Sequence, residues 1–211
     1  MPLSGEKLIE IFNWIGSLVC HQIQDRTLQI GGVYLPICAR DTGIYLGFLI
    51  GYSLLPLRNK RAHGPPNLYV TLAMILPLIG DVATQISGLR VSTNNIRLVS
   101  GLLFGTALSP FLIYLLPIVP LSYKIPIIRS LIPEKVEVDS KISWMDGKAL
   151  VFGLILDVAF FIIIRLIERS GNFIFYWMLS IPIVSSIILH IFILPIFLVM
   201  SLVSFLFKKW F

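Results

Sequence analysis

The sequence predicts an all-α fold of helices that cross a membrane, and composition, hydropathy and the length of the apolar runs all indicate this class. Apolar residues make up 56% of the 211 residues and charged residues 13%, against about 45–50% and about 25% in soluble domains. The mean hydropathy is +0.88. Because one core of this size cannot bury so much apolar surface, composition excludes a soluble globular enzyme, a disordered chain and a collagen-like fibre.

An N-terminal segment, residues 1–40, precedes the first predicted span. Its apolar-rich stretch LIEIFNWIGSLVC is short for a crossing, which needs about 20 apolar residues. Glu6 and Glu10 interrupt the positive region that a signal peptide carries. We therefore expect a helix that lies in the membrane interface.

Five apolar stretches are long enough to cross the bilayer and predict one membrane domain over residues 1–211. They are residues 41–57, 68–86, 96–119, 149–167 and 173–207. As one straight helix the fifth would reach about 50 Å, beyond the roughly 30 Å of hydrocarbon. Pro182 and Pro195 can kink or divide it. Five spans are favoured, and six are the alternative.

The basic residues predict the orientation of a multi-pass protein in the cell membrane. With five spans, ten Lys and Arg fall on one side, including the cluster RNKRAH and the terminal KKW, and seven fall on the other. The positive-inside rule places the first side in the cytoplasm. The net charge of +6 indicates contact with membrane lipids as partners, and no nucleic-acid module is present. Association with a second copy, or within a membrane complex, stays open.

Glycines at four-residue spacing predict close packing of helices. Gly43, Gly47 and Gly51 repeat along the first span, and Gly101 and Gly105 along the third. Small residues on one helix face let backbones approach closely in lipid. We expect these stripes to hold helices together.

Polar residues gather at one membrane face, which the predicted orientation makes the outer one. One group surrounds the start of the first span, and the other runs from the end of the second span into the third. The two groups contain Cys20, His21, Gln22, Asp25, Arg26, Cys38, Arg40, Asp41, Asp81, Gln85, Arg90, Ser92, Thr93, Asn94, Asn95 and Arg97. Because polar groups are costly in a membrane, their concentration marks a candidate functional site.

Within the first group, Cys20, His21, Cys38 and Asp41 offer ligands for zinc or another divalent metal. Cys38 and Asp41 lie three residues apart, so their side chains can converge on one helix face. Adjacent Cys20 and His21 converge less easily, because neighbours point about 100° apart on a helix. A Cys20–Cys38 disulfide is an equal alternative, since an outward location permits it.

The arginines predict a second chemistry, the binding of a phosphate or pyrophosphate. The residues expected to hold the headgroup are Arg26, Arg40, Gln85, Arg90, Asn94 and Arg97. Asp81 is the candidate catalytic residue, as a base or a metal-bridging carboxylate, and shares a helix side with Gln85. Asn94 can also cap the third helix. The alternative is that these arginines only snorkel to ordinary lipid headgroups.

Two other polar residues lie within predicted spans. Asp157 is near the middle of the fourth, and His190 in the fifth could pair with it. A proton path is one interpretation of such intramembrane groups. A single buried hydrogen bond between helices is the interpretation we favour.

The strings CHQ, DRT, LPICARDTGIYLGFLIG and GDVATQISGLRVSTNNIRLVSGLLFG resemble an uncharacterised family of small prokaryotic membrane proteins, domain of unknown function 2085. The resemblance covers residues 20–105, and the chain from about Leu121 onward lies outside it. The family pattern usually has cysteine at the position of Asp41. The resemblance therefore implies a metal site of three cysteines and one histidine, in which a carboxylate replaces one cysteine here. It implies no activity.

Three functions are consistent with these features. The favoured one is a membrane-embedded enzyme that acts on a phosphorylated or polyprenyl-type lipid at the outer interface. The second is a small transporter of an ion, a proton or a lipid, with Asp157 and His190 on its path. The third is a non-catalytic subunit of a membrane complex. Whether the protein is an enzyme stays open, because no complete motif of a known lipid enzyme is present.

Overall fold

The computed structural model describes residues 5–57, 64–114, 126–131, 145, 147–196, 199 and 203. In these residues the chain forms helices and one short β-hairpin. The elements are α1 (Gly5–Ser17), β1 (Gln29–Ile30), β2 (Val33–Tyr34), α2 (Ala39–Ser53), α3 (Leu68–Ile86), α4 (Asn94–Tyr114), α5 (Pro126–Leu131), α6 (Gly147–Ser170) and α7 (Ile174–Ile188). Short 3-10 turns lie at Gln24–Arg26 and Leu55–Leu57, and a π-helical turn, Leu189–Ile193, continues α7. The prediction of a helical membrane fold is confirmed.

Four helices are long and apolar enough to cross a membrane. They are Leu68–Ile86, Asn94–Tyr114, Gly147–Ser170 and Ile174–Ile196, and they correspond to the second to fifth predicted spans. The first predicted span corresponds to α2 and the 3-10 turn after it. With 15 residues, α2 alone reaches only about 22 Å, less than the roughly 30 Å of hydrocarbon. Its assignment as a span stays a prediction.

Some predictions concern residues outside the described ranges. These are the end of the third predicted span at 115–119, the basic cluster at 58–63 and most of the chain after 196, including the terminal basic residues. The sixth span therefore stays an untested alternative.

α2 and α4 pack with their backbones in contact, and the glycine stripes make this possible. A methyl group on Gly43 or Gly47 would overlap the backbone of α4, and one on Gly101 or Gly105 would overlap the backbone of α2. The two stripes thus face each other, which confirms that they hold helices together. This contact also brings the first turns of α2 and α4 side by side.

α1 is a separate helix of 13 residues, too short to cross a membrane, which agrees with the predicted N-terminal helix. Trp14 is 65% exposed and Ile11 is 41% exposed, so part of its apolar surface is uncovered. Phe12 packs edge-on against Trp177 in α7. Exposed aromatic and aliphatic side chains on a short helix are typical of an interfacial position, which stays a prediction.

The β-hairpin between α1 and α2 is an element that the sequence analysis does not predict. It is antiparallel, with Gln29 opposite Tyr34 and Ile30 opposite Val33. Its turn consists of Gly31 and Gly32, both with positive φ, as a two-residue hairpin turn requires. A Cβ on Gly31 would contact the Phe173 backbone, so the hairpin lies against the start of α7.

The predicted pairing of Asp157 with His190 is wrong. Asp157 Oδ1 lies 2.6 Å from Thr106 Oγ1 in α4, whereas His190 Nε2 lies 2.7 Å from Tyr52 OH in α2. His190 Nδ1 lies 2.7 Å from the Ser186 carbonyl oxygen. The two residues therefore bond to different neighbours, because the rotation of α6 and α7 aims them at different helices. The predicted interhelical hydrogen bond of Asp157 is confirmed.

Candidate functional site

Three of the four predicted metal ligands converge where α1, the hairpin and α2 meet. Cys38 is the residue before α2, Asp41 lies in its first turn, and Cys20 follows α1. One ligand atom from each lies within 4.8 Å of the others, and Cys38 Sγ donates a hydrogen bond to Asp41 Oδ2 at 3.1 Å. Both cysteines are free thiols. The structure thus groups the two sulfurs and the carboxylate without a disulfide.

His21 is placed differently from the other predicted ligands. Its side chain is exposed, and the group of converging ligand atoms does not include it. It lines the cavity beside that group. Cys20 and His21 follow the end of α1 and lie outside any helix, and only the Cys20 side chain joins Cys38 and Asp41.

Gln22, a member of the predicted polar group, positions Cys20. It has a positive φ of 52°, which turns the chain sharply after α1. Its side-chain amide donates to the Asn13 carbonyl oxygen at 2.6 Å and to the Pro36 carbonyl oxygen at 2.8 Å. These bonds tie the end of α1 to the segment that leads into Cys38. The sequence signal for this role is the position of Gln22 directly after Cys20 and His21 in the CHQ string.

Backbone N–H groups stabilise sulfur charge at Cys20. The N–H groups of Gln22 and Cys38 donate to Cys20 Sγ at 3.4 Å and 3.2 Å. The adjacent Cys38 thiol, together with these N–H groups, lowers the pKa of Cys20. The adjacent Cys20 sulfur, burial and the Asp41 charge raise the pKa of Cys38. Cys20 is therefore the group that becomes a thiolate first, and the thiolate is the form that binds metals.

A cavity of 270 Å³ adjoins the converging ligands and also contains three of the predicted arginines. Its lining is Val19, Cys20, His21, Gln22, Ile23, Arg26, Cys38, Arg40, Asp41 and Arg97. The side chains come from the segment before the hairpin and from the first turns of α2 and α4. Residues of both predicted polar groups thus lie close together in the fold, and their common position at the outer membrane face stays a prediction.

The guanidinium groups at this cavity are only partly neutralised. Arg97 is 4% exposed, and its Nη1 donates to Asn94 Oδ1, a neutral amide, at 3.1 Å. Among the described residues, Arg97 and Arg26 form no ion pair with a carboxylate, whereas Arg40 pairs with Asp81. Arg40 Nε is buried and has no partner within the same ranges. A buried guanidinium beside two others favours the entry of an anion.

Asp81, Gln85 and Arg90 lie behind the cavity instead of lining it. Asp81 is buried, and its two oxygens accept hydrogen bonds from Arg40 at 2.5 Å and from Arg90 at 2.7 Å. Gln85 Oε1 accepts a further bond from Arg40 at 3.1 Å. α3 therefore holds the Arg40 guanidinium in place beside the cavity. The catalytic role predicted for Asp81 stays untested.

Asn94 does not cap α4 as expected. α4 begins at Asn94, and the side chain of Thr93 accepts a hydrogen bond from Ile96 N–H at 3.4 Å, which is the contact of an N-cap. The Asn94 side chain instead donates to the Asp25 carbonyl oxygen at 3.4 Å. It thus links Arg97 to the segment that carries Arg26.

Comparisons with known proteins find relatives of unknown function. A family model described as a predicted membrane protein, DUF2085, matches residues 20–111. An uncharacterized protein of Methanocaldococcus jannaschii is 36% identical over 103 residues, which cover 48% of this chain and 64% of the relative. Another, of Methanothermobacter thermautotrophicus, is 36% identical over 95 residues, which cover 43% of this chain and 81% of the relative. No solved structure matches the chain.

The family match contains every residue proposed for the site. It begins at Cys20 and extends beyond Arg97, so the converging ligands, the cavity and Asp81 all lie inside it. The first of the two relatives is matched over less than two thirds of its length, and the second over most of its length. The chain therefore belongs to the family of predicted membrane proteins known as domain of unknown function 2085.

Proposed function

We propose that this protein, in the cell membrane, binds a divalent metal ion and the phosphate of a membrane lipid in one interfacial cavity, and that it is an enzyme acting on that lipid. One observation carries the proposal. Three arginines line the same 270 Å³ cavity as two thiols and a carboxylate whose ligand atoms converge. A cation site and an anion site are thus contiguous.

The donor set suits zinc better than magnesium or calcium. Cys20 and Cys38 supply sulfur and Asp41 supplies oxygen, and soft thiolates select zinc over the hard cations. Three protein ligands leave a fourth position open, as in catalytic zinc sites. His21, a water molecule or a phosphate oxygen can fill that position.

The size of the cavity favours a headgroup over a whole lipid. Pockets for drug-sized ligands measure about 300–1,000 Å³, so a cavity of 270 Å³ accepts a small polar group. The apolar chains of a phosphorylated lipid can then stay in the membrane. Arg26, Arg40 and Arg97 supply the positive charge that binds a phosphate.

In such an enzyme the protein groups have separate roles. A divalent ion, when bound, supplies Lewis acidity toward a phosphate oxygen or a water molecule. The arginines orient the phosphate and neutralise its charge. Asp81 positions Arg40, because both of its oxygens already accept arginine hydrogen bonds. We propose this positioning role for Asp81 instead of that of a base.

The first test is the metal content of the detergent-purified protein, measured by plasma mass spectrometry together with a count of free thiols under denaturing, non-reducing conditions. We expect about one equivalent of zinc and two free thiols, with the metal lost in Cys38→Ala. Asp25→Ala removes an exposed nearby carboxylate outside the ligand group and should retain the metal. Absence of both metal and free thiols would mean a disulfide and would contradict the metal site.

The second test measures lipid binding by native mass spectrometry in nanodiscs that contain phosphatidic acid or phosphatidylcholine. We expect preferential binding of phosphatidic acid, whose phosphate is unsubstituted. Arg97→Gln should weaken this binding about tenfold or more, because a charged hydrogen bond contributes roughly 1.5–3 kcal/mol. Arg169→Gln, at an exposed position outside the cavity, should leave it unchanged. Equal effects of the two variants would indicate general headgroup contact and contradict the cavity.

Enzymatic activity is tested by incubating the protein in nanodiscs that contain the phosphorylated lipid and then analysing the lipid products. Conversion of the phosphorylated lipid by wild-type protein, lost in Cys38→Ala, is the expected result. Binding without any conversion would contradict the enzyme and leave a binding function.

A further inference from the structure

A second polar centre lies away from the cavity, where α2, α4 and α6 meet. Asp157, in the middle of α6, is 3% exposed. Its Oδ1 is 2.6 Å from Thr106 Oγ1 on α4. The same hydroxyl lies 3.1 Å from the Gly47 carbonyl oxygen on α2. One threonine hydroxyl therefore bridges a carboxyl group and a backbone carbonyl.

The number of protons in this contact determines the charge of Asp157. A threonine hydroxyl has one proton to donate. If it donates to Gly47, the contact with Asp157 is a hydrogen bond only when Asp157 Oδ1 carries a proton and donates it to Thr106. If the hydroxyl donates to Asp157 instead, an ionised Asp157 accepts one hydrogen bond, at Oδ1. Its Oδ2 is buried and accepts no hydrogen bond in the described part of the chain.

The surroundings favour the protonated form. Among the described residues, Asp157 forms no ion pair, so no cation stabilises an anion there. The charged residues of α6 on either side, Lys148 and Arg165, are nine and eight residues away, about 12 Å or more along the helix. A lone carboxylate at such depth is costly in a membrane.

Among the described residues, the elements packed against Asp157 bring no other charged group to it. α4 contributes Thr106 and aliphatic side chains, and α2 contributes the Gly47 carbonyl. The charged residues of these helices nearest the site, Arg97 and Asp41, lie in their first turns, and His190 bonds to Tyr52.

We propose that Asp157 is a proton-binding site inside the membrane, a neutral carboxylic acid that donates its proton to Thr106 Oγ1 while Thr106 donates to Gly47. This site is independent of the metal and phosphate cavity. It gives the protein a group that can take up and release a hydrogen ion within the bilayer.

An apolar cavity borders this residue. It measures 120 Å³ and is lined by Val99, Leu102, Leu103, Leu154, Asp157, Val158 and Phe161. Carbodiimides add to protonated carboxylic acids. The acid proton moves to a carbodiimide nitrogen and the carboxyl oxygen bonds to the central carbon, after which the adduct rearranges to a stable N-acylurea with no group lost.

The test treats the full-length protein in proteoliposomes with dicyclohexylcarbodiimide and maps the adduct by peptide mass spectrometry. We expect the adduct at Asp157 and its absence from the peptides with Asp41 and Asp81. It should disappear in Asp157→Asn, and labelling should slow as the pH is raised, because the reagent requires the acid form. An adduct whose rate does not depend on pH would overturn the proposal, and the infrared measurement decides the case in which the reagent labels Asp157 only in detergent-unfolded protein.

Infrared spectroscopy tests the protonation state without relying on access of the reagent. Protein containing ¹³C-labelled aspartate should show the carbonyl stretch of a protonated carboxylic acid at neutral pH. In Thr106→Val this band should move to higher frequency, because the acid loses its acceptor. Thr71→Val, which alters a buried threonine that donates to the Asn67 carbonyl oxygen before α3, should leave the band unchanged. Absence of a protonated carboxyl band in the wild-type protein would overturn the proposal.

Discussion

Gln22 shows how one side chain organises the metal ligands. Its amide joins two carbonyl oxygens, and its own N–H donates to Cys20 Sγ. Gly16 allows this arrangement, because a Cβ there would overlap the Pro36 carbonyl group. Groups that orient the ligands of a metal site contribute to its affinity for the metal.

Replacing Gln22 should therefore weaken metal binding. We expect Gln22→Leu to lower zinc affinity about 10–100-fold, the usual effect of losing an outer-shell partner. Competition with a chromogenic chelator measures this change. Gln24→Leu, on an exposed side chain of the next turn, is the control and should retain the affinity. Equal affinities of both variants would show that Gln22 does not position the ligands.

At the scale of elements, the contact between α2 and α4 determines the geometry of the cavity. Asp41 and Arg40 lie in the first turn of α2, and Arg97 lies in the first turn of α4. At Gly101 the two backbones lie so close that a Cβ there would overlap the Arg40 carbonyl oxygen. The separation between the converging ligands and Arg97 thus depends on how closely the two helices approach.

A single methyl group should separate the helices and destabilise the fold. We expect Gly101→Ala to lower the unfolding free energy by about 1–3 kcal/mol, the usual cost of overpacking. Gly80→Ala is the matched control, because a Cβ there meets no atom within 4 Å, and it should have no effect or raise stability by up to about 1 kcal/mol. Thermal unfolding in detergent compares them. The close contact would be contradicted if Gly101→Ala were as stable as Gly80→Ala.

At the scale of the whole molecule, the parts predicted from sequence are those with a local signature. Long apolar runs predict crossing helices because a span requires a minimum length. The three-residue spacing of Cys38 and Asp41 predicts their convergence. The position of polar residues at the ends of predicted spans predicts that the two polar groups lie at the same membrane face.

The parts that the sequence does not predict depend on rotation and on irregular backbone. Helix rotation, which apolar runs do not encode, aims Asp157 at Thr106 and His190 at Tyr52. The left-handed turn at Gln22 depends on contacts made by the folded chain, which hydropathy does not detect. The hairpin does have a local signal, because the pair Gly31-Gly32 is typical of a two-residue hairpin turn, but hydropathy does not detect this signal either.

The shortness of α2 has a consequence for how lipids meet the protein. A helix of 15 residues is roughly 8 Å shorter than the hydrocarbon layer, and such a mismatch is relieved by local thinning of the bilayer or by shielding from lipid. Eight α2 residues are buried, among them the glycines that face α4, so neighbouring helices shield much of it. We therefore expect the cavity at its N-terminus to be recessed below the membrane surface. A lipid would enter by lateral diffusion within the leaflet, and water-soluble phosphates would compete poorly with it.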